Sequence, residues 1–377
     1  MGIEELWEVL KEKQCGKTVP LSQLRNFIKV DKSARIAIDA YLLYYKYFCV
    51  EWRVSVEGGS FSIDRIFANT IRRIDEMCRK LNNNGLEHVF CLDGDRSVTK
   101  LATERRNSVK EVKIGEIAKI HYDCVKWCEN NQLSPERNYL DVLKRYDFLR
   151  EYWPNAPRWR RTTLLDDPID PEANKNPIIA PPLDSEVFDI LTEMSRLKGV
   201  LSKYPIVPRD MSLIIQDGLR QCGHRFLSIP TVSEGEKVAS IAVKIGFCQA
   251  VLSTDSDLLP MGTRMIIKEI KDDIATIYSY PETLGKLQMT HEQLMSLSIM
   301  LGNDFNDGIP GMAKVKCLQE VMRPGFNIYD FDLSRGGCLN VNICIEAFTI
   351  SEQECNLVEE EIIRLFSADR PLDQKSP

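Results

Sequence analysis

Short apolar runs that end in acidic residues constrain the fold of this sequence more than any other feature. Three runs share the pattern, and they are Ala34–Ile38 before Asp39, His88–Leu92 before Asp93, and Ala250–Ser253 before Asp255 and Asp257. Runs of this length are typical of strands that are buried on both faces. Helical segments separate them, so the pattern predicts an α/β fold with a mostly parallel central sheet flanked by helices.

Apolar periodicity of about 3.6 residues predicts the helices between and around these strands. The predicted helices cover Glu4–Lys11, Ile63–Leu81, a basic stretch over Lys100–Lys126, Phe188–Leu201, Met211–Cys222, Val238–Val243 and Leu357–Phe366. Between them, residues 151–182 hold seven of the 18 prolines. That composition predicts an insertion or linker without regular structure.

Composition excludes some classes of protein. The 377 residues carry 49 Lys and Arg against 55 Asp and Glu, a net charge of -6, which argues against nucleic-acid binding through bulk charge. The sequence shows neither an apolar run of the ~18 residues that span a bilayer nor a secretory signal, so we expect an intracellular protein that is not secreted. Twelve cysteines without tandem CxxC pairs favour free thiols over a zinc site at Cys124, Cys128 and His121.

The acidic residues after the strands suggest a metal site. In a parallel sheet the carboxyl ends of the strands line one crevice, so Asp39, Asp93, Asp255 and Asp257 are expected to converge. Such a cluster is costly without a multivalent cation, and oxygen ligands select Mg²⁺ or Mn²⁺ over zinc. Each Asp taken alone could equally be a turn residue or a helix N-cap.

Three more acidic residues extend this set. Glu234 and Glu236 lie in a Ser-Glu-Gly-Glu segment, and Asp304 precedes a Gly/Pro turn. The alternative for Glu236 is a capping box, with Ser233 as N-cap and Glu236 at the third helical position. Seven carboxylates around one crevice fit a two-metal site for phosphoryl transfer, with ions ~4 Å apart. Lys100, Arg105 and Arg106 could bind the substrate phosphate there, or could form a solvated basic helix face.

Several motifs, in order along the chain, resemble one known family. They are Met1-Gly2-Ile3 with Leu6-Trp7, Ile38-Asp39-Ala40, Phe90-Cys91-Leu92-Asp93-Gly94, Val232-Ser233-Glu234-Gly235-Glu236, Ser253-Thr254-Asp255-Ser256-Asp257-Leu258-Leu259 and Leu301-Gly302-Asn303-Asp304. This series resembles the flap endonuclease/XPG family of structure-specific 5′ nucleases, over roughly residues 1–110 and 205–325. The resemblance implies a PIN-like fold with a helical arch and a C-terminal helix–two-turn–helix.

The resemblance also implies an activity and a set of site residues. It implies hydrolysis of DNA phosphodiesters with two Mg²⁺ ions, for which Mn²⁺ can substitute, leaving a 5′-phosphate. The family's metal ligands map onto Asp39, Asp93, Glu234, Glu236, Asp255, Asp257 and Asp304. Lys100 matches the catalytic lysine at the base of the arch. The accompanying arginine matches Arg105 or Arg106.

The resemblance further implies residues that contact DNA. Gly2 matches a residue near the DNA junction, and Tyr45 matches a tyrosine that stacks on a displaced base, although an aromatic side chain in an apolar helix is an equal alternative. Residues 308–316 resemble the helix–two-turn–helix, in which Gly308, Gly311, Lys314 and Lys316 would meet duplex phosphates. A plain Gly/Pro turn is the alternative. The family often binds K⁺ at this turn, but Ala313 stands where glycine is usual.

The predicted organisation is one catalytic domain in four segments. Residues 1–110 form an N-terminal nuclease region, 111–205 an arch with the Pro-rich insertion, 206–300 an internal nuclease region, and 301–377 the helix–two-turn–helix with C-terminal helices. The expected partners are branched, nicked or flapped DNA, in the nucleus or at a site of DNA replication, or in the cytoplasm if the protein is viral. The C-terminus lacks a Gln-x-x-Leu-x-x-Phe-Phe type box, so a sliding clamp is not an expected partner. The sequence leaves the oligomeric state open.

The leading hypothesis is a Mg²⁺-dependent flap endonuclease or 5′→3′ exonuclease that acts in replication, repair or recombination. Two alternatives stay open at this point. One is a nuclease of the same superfamily that degrades RNA. The other is a catalytically inactive scaffold that binds nucleic acid.

Overall fold

The structure is a computed structural model that describes residues 3–28, 34–57, 62–94, 205, 207, 210–232 and 234–367. The chain divides into two compact units. The first contains residues 1–46, 73–106 and 216–377, and the second contains residues 47–72 and 107–215. The predicted helices over Lys100–Lys126 and Phe188–Leu201, the arch and the Pro-rich insertion lie outside the described residues.

A seven-stranded sheet forms the centre of the first unit, in the order β1-β7-β6-β5-β2-β3-β4. Its strands are β1 (Lys17–Pro20), β2 (Ala34–Asp39), β3 (Leu86–Leu92), β4 (Phe226–Ser228), β5 (Ala250–Leu252), β6 (Met265–Lys271) and β7 (Ile274–Ser279). Strands β6, β5, β2, β3 and β4 pair in parallel, whereas β7 pairs antiparallel with β6 and β1. The expectation of a mostly parallel sheet is therefore confirmed.

The helices of the described chain are α1 (Glu4–Glu12), α2 (Leu21–Ile28), α3 (Ala40–Glu57), α4 (Ile63–Asn83), α5 (Met211–Gln221), α6 (Gly235–Lys244), α7 (Tyr280–Leu287), α8 (His291–Leu301), α9 (Lys314–Val321), α10 (Ile328–Ser334), α11 (Val341–Phe348) and α12 (Glu352–Ser367). The helices predicted near residues 4–11, 63–81, 211–222, 238–243 and 357–366 are all present. None of the helices in the described part of the chain is long and apolar enough to cross a membrane.

The alternative interpretation of Glu236 as a capping-box residue is wrong. The N-cap of this helix is Glu234, whose carbonyl accepts the first intrahelical bond from the N–H of Val238 at 3.1 Å. The side chain of Glu234 makes no capping hydrogen bond among the residues that the structure describes, and Glu236 occupies the second position of the helix. Glu236 is therefore not a capping residue, and its burial in the first unit needs another reason.

Apolar side chains fill the space between the sheet and the helices of the first unit. The buried α6 carries Val238, Ile241 and Ala242 against the sheet core, which also contains Val89 and Val251. Burial of α6 on nearly every side is consistent with a parallel sheet whose two faces are both covered by other elements. In the second unit, which includes the end of α3 and the beginning of α4, the ring of Phe48 packs on those of Trp52 and Phe67.

Candidate metal centre

The register of the central strands brings the predicted acidic residues to one edge of the sheet. Asp39 is the last residue of β2 and lies beside Cys91 of β3, two residues before Asp93. On the other side of β2, Ile38 pairs with Leu252, so Asp39 lies next to Ser253. Parallel strands therefore place the acids after β2, β3 and β5 at the same end of the sheet.

Ser253 organises the acidic residues that follow β5. Its Oγ donates a hydrogen bond to Asp39 Oδ2 at 2.7 Å and accepts one from the backbone N–H of Asp255 at 3.0 Å. Asp255 Oδ1 in turn accepts the N–H of Asp257 at 2.9 Å. These bonds fix the carboxylates of Asp39 and Asp255 and the backbone of Asp257 relative to one another. The role of Ser253 does not follow from the predicted strand and acidic residues, although a serine two residues before an aspartate is a recognisable turn signal.

Gly235 joins helix α6 to the end of strand β3. Its N–H donates to Asp93 Oδ1 at 2.8 Å. A Cβ at this position would lie only 2.8 Å from the carbonyl oxygen of Cys91, so the close approach requires glycine. The glycine lies between Glu234 and Glu236 and therefore delivers both carboxylates to the strand ends. The sequence places this glycine in a motif but does not by itself indicate this role.

Ser256 ties the N-terminal segment to the same loop. Its Oγ accepts the N–H of Ile3 at 2.5 Å and donates to the carbonyl oxygen of Ile3 at 3.0 Å. The indole Nε1 of Trp7 donates to the carbonyl oxygen of Thr254 at 2.9 Å. The loop between Asp255 and Asp257 is therefore fixed from the side of α1, a contact that the sequence did not indicate.

Burial and mutual repulsion mark the seven acidic residues as one electrostatic cluster. Asp93 is exposed, and the other six are each less than 10% exposed, namely Asp39, Glu234, Glu236, Asp255, Asp257 and Asp304. Burial raises the pKa of Asp39 to about 7, with further contributions from the charges of Asp93 and Asp255, against the lowering effect of the Ser253 hydrogen bond. The carboxylate of Asp39 is therefore held where its charge is unfavourable.

The pKa values of two further carboxylates extend this repulsion across the site. Burial, and then the neighbouring Glu234, raise the pKa of Glu236 well above its usual range. Burial also raises the pKa of Asp257 well above its usual range, followed by the charges of Asp255 and Asp304. A group of buried carboxylates that repel one another is stable as charged species only when cations neutralise them.

The chemistry of these side chains fits hard divalent ions. Asp257 Oδ1 is buried and has no hydrogen-bond partner among the residues that the structure describes, as expected of an atom that serves as a metal ligand. Within the described chain, no three oxygens of the cluster lie mutually within 4.8 Å.

The turn between α8 and α9 follows the cluster directly. Gly302 and Gly308 both have positive φ, 87° and 74°, and pack backbone to backbone, since a Cβ on Gly308 would lie 2.9 Å from the backbone of Gly302. Gly308 is buried and its N–H donates to Asn306 Oδ1 at 2.7 Å. The expectation that this N–H is offered to a phosphate is therefore not met. Gly311 is exposed, with φ of 72° and open space around it.

The two lysines after this turn differ in their surroundings. The ammonium of Lys314 lies 2.6 Å from Glu8 and 2.7 Å from Glu12, both on α1, and these carboxylates raise its pKa. Lys316 is exposed. Their proposed phosphate contacts stay predictions, and for Lys314 such a contact would compete with two ion pairs.

Other predicted residues are placed only in part. Tyr45 lies on α3 and is half-buried, next to the fully buried Tyr44. Gly2, Lys100, Arg105 and Arg106 lie outside the described residues, as do Cys124, Cys128 and His121. At the predicted K⁺ turn, Ala313 is the N-cap of α9, and its carbonyl accepts the N–H groups of Lys316 and Cys317.

Part of the chain is similar in sequence to known proteins. A family model described as the XPG I-region matches residues 227–304, which contain five of the seven acidic residues. The flap endonuclease 1 of Methanothermobacter thermautotrophicus is 33% identical over 106 residues, or 26% of this chain and 32% of that protein. This part of the chain is therefore similar to proteins of the flap endonuclease/XPG family. A probable flap endonuclease 1 homolog of Danio rerio is also 33% identical, over 24% of this chain and 27% of that protein. The matched region thus spans less than a third of either relative.

Solved structures of this family share the fold. Flap endonuclease-1 from Methanococcus jannaschii superposes with a TM-score of 0.51 at 14% identity, over 93% of this chain and 90% of that one. The catalytic core of Rad2 in complex with DNA substrate superposes with a TM-score of 0.50 at 17% identity, over 95% and 79% of the two chains. The PIN-like nuclease fold is therefore confirmed.

Proposed function

We propose that this chain is a structure-specific nuclease that uses divalent cations to hydrolyse phosphodiester bonds of branched DNA. The observation that carries the proposal is the convergence of seven carboxylates at the carboxyl ends of parallel strands, with a buried Asp257 oxygen that lacks a protein partner. Two Mg²⁺ ions would be held by this cluster. When bound, such ions supply an activated water and stabilise the leaving oxygen.

The protein itself orients the carboxylates and determines the pH at which they lose their protons. Ser253 orients Asp39 through its hydroxyl and Asp255 through its backbone N–H. Because burial raises the pKa values of Asp39, Glu236 and Asp257, these groups retain protons to higher pH than ordinary carboxyls. They must release those protons when cations bind, so we expect cation affinity to rise with pH through the neutral range.

The turn before α9 supports DNA duplex as the substrate. Gly311, Ala313 and Lys316 are exposed, and in the described part of the chain no side-chain hydrogen bond caps α9 at its N-cap, Ala313. Uncapped backbone N–H groups at a helix N-terminus are suited to bind a phosphate. We propose that this turn anchors duplex DNA while the acidic cluster cleaves a strand nearby. The relatives named flap endonuclease support a 5′ flap as the first substrate to test.

The decisive experiment compares the wild type with Asp255→Asn on a panel of substrates. The panel holds 5′-flap, double-flap, nicked, gapped and four-way DNA, together with matched single-stranded RNA, each with Mg²⁺ or Mn²⁺. We expect cleavage of branched DNA, and a loss of at least about 10²-fold in the variant, a typical cost of losing a group that stabilises transition-state charge. Binding of the flap substrate should persist.

The exposed Asp217→Asn on α5 serves as the matched control, since it removes the same charge away from the cluster. Full activity of Asp255→Asn would refute the site. Faster cleavage of RNA than of any branched DNA would favour the RNA-degrading alternative. Binding without hydrolysis at any Mg²⁺ or Mn²⁺ concentration would favour the inactive scaffold.

A further inference from the structure

A second group of potential metal ligands lies in the first unit. The sulfur of Cys78 and one ring nitrogen each of His88 and His224 all lie within 4.8 Å of one another. No other set of this kind is found in the described part of the chain. The three residues come from α4, from β3 and from the turn between α5 and β4. They include two of the chain's four histidines.

Strand pairing explains how these distant residues meet. Strands β3 and β4 are parallel, with Phe90 beside Phe226. His88 and His224 each precede one of these phenylalanines by two residues, so they lie side by side on the same face. The backbone N–H of Phe90 also donates to the carbonyl oxygen of Arg225, which extends the pairing toward His224. Helix α4 then brings Cys78 to this pair.

The hydrogen bonds of the two imidazoles leave two nitrogens facing each other. His224 Nε2 lies 3.1 Å from Asp75 Oδ1, and His88 Nδ1 lies 3.2 Å from Asn82 Oδ1. If both outer nitrogens donate to these oxygens, His88 Nε2 and His224 Nδ1 direct two lone pairs at each other across 2.9 Å. Only a cation between them makes that arrangement favourable.

The surroundings of this pair favour a metal over a shared proton. Burial lowers the pKa of His88 to about 4 and also lowers the pKa of His224, so both rings are neutral at pH 7, the form that binds metals. Asp75 and Asn82 can accept hydrogen bonds from the outer ring nitrogens. Metal-bound histidines usually donate their second ring N–H to a carboxylate or carbonyl oxygen in the same way. Asp75 is itself held by Arg79 at 2.6 Å. Cys78 is fully buried.

We propose that Cys78 Sγ, His88 Nε2 and His224 Nδ1 bind one Zn²⁺ ion. Cys thiolate and His imidazole are both ligands that Zn²⁺ takes in proteins, and a site with three protein ligands leaves the fourth position to water. Tetrahedral zinc would hold the two nitrogens about 3.3 Å apart, so they need to separate by only about 0.4 Å from their present 2.9 Å. Binding displaces the thiol proton of Cys78 to solvent.

The zinc site is separate from the acidic cluster. His88 lies five residues before Asp93 along β3, which is about 16 Å in an extended strand. The proposed ion would connect α4 to the β3–β4 edge of the sheet. Its expected effect is therefore on stability, because an ion that binds only the folded chain raises its melting temperature.

The test uses the full chain with Co²⁺ and Zn²⁺, in excess Mg²⁺ so that carboxylate sites are filled. We expect one equivalent of Co²⁺ to produce a thiolate-to-cobalt charge-transfer band that Zn²⁺ abolishes, and Zn²⁺ to raise the melting temperature. Cys78→Ser should lose the band and the thermal shift. His88→Gln should weaken Co²⁺ binding by at least about tenfold.

Two controls identify the thiol. Cys222→Ser removes an exposed thiol two residues before His224, and a Cys124→Ser/Cys128→Ser double variant removes the other pair considered from the sequence. Both should retain the band and the shift. The proposal is overturned if the wild type shows no thiolate band, because the residues then form only a hydrogen-bonded chain of Asn82, His88, His224 and Asp75. It is also overturned if the band persists in Cys78→Ser. Metal-free melting curves of each variant show that it folds.

Discussion

Replacing Asp39 by Asn should stabilise the protein when divalent cations are removed. Asp39 is 1% exposed, and its charge faces those of Asp93 and Asp255. The amide keeps the size of the carboxylate and an oxygen that can accept the 2.7 Å hydrogen bond from Ser253. It carries no charge, so the variant avoids both the burial penalty and the repulsion.

The magnitude follows from the pKa of Asp39, which rises from 3.8 to about 7 on folding. Each unit corresponds to about 1.4 kcal/mol, so the charged form destabilises the fold by about 4 kcal/mol. Below pH 3.8 both states are protonated and the penalty is absent. Between pH 3.8 and 7 only the unfolded chain loses its proton, so stability falls as pH rises. Above pH 7 the full penalty applies.

The assay is urea unfolding in EDTA from pH 4.5 to 8. The free energy of unfolding of Asp39→Asn should exceed that of the wild type by about 1 kcal/mol at pH 4.5 and by about 2 to 4 kcal/mol at pH 8. Asp217→Asn, on an exposed face of α5, should change it by less than about 0.5 kcal/mol. Added Mg²⁺ should stabilise the wild type more than Asp39→Asn. A variant no more stable than the wild type at pH 8, or a difference that does not grow with pH, would refute the reasoning.

Two further predictions concern the turn before α9. Gly308→Ala should destabilise the protein by about 2 kcal/mol or more in urea unfolding, because its Cβ would lie 2.9 Å from three backbone atoms. Gly311→Ala, which shares a positive φ but has open space, should cost about 1 kcal/mol, and equal losses would contradict the packing argument. The Glu8→Gln/Glu12→Gln double variant should free the Lys314 ammonium and strengthen binding to duplex DNA. In a plot of log affinity against log salt concentration, the slope should become steeper by about one. Unchanged affinity in a salt titration would show that Lys314 does not contact phosphate.

Much of the central sheet was predictable because its strands are buried on both faces. Continuous apolar runs revealed β2, β3 and β5, and the acids that end them indicated the metal site. The antiparallel edge was missed because β6 and β7 mix buried and half-exposed residues. A signal was nevertheless present. Asp272 and Asp273 join β6 to β7 with positive φ values of 50° and 61°, and a two-residue acidic turn between β-branched runs is typical of a hairpin.

The start of α6 shows why local motifs can mislead at a functional site. The Ser-x-x-Glu spacing predicted a capping box, but the helix begins after Glu234, and the N–H of Gly235 donates to Asp93 rather than to a capping side chain. A contact between residues 142 positions apart therefore sets the helix start. Glu236 lies in the buried acidic cluster instead of satisfying a local N–H group.

The two candidate zinc sites show that spacing along the sequence can fail to reveal residues that lie together in the fold. Cys124 and Cys128 form a candidate pair in the sequence because they lie four residues apart, a short spacing of the kind found between zinc ligands. His88 and His224 are 136 positions apart and no spacing rule connects them. What connects them is the pairing of β3 with β4, which aligns Phe90 with Phe226 and therefore also the residues two positions earlier. In a parallel sheet, ligands can be searched for by register, since residues at equal distances from a paired position are neighbours on one face.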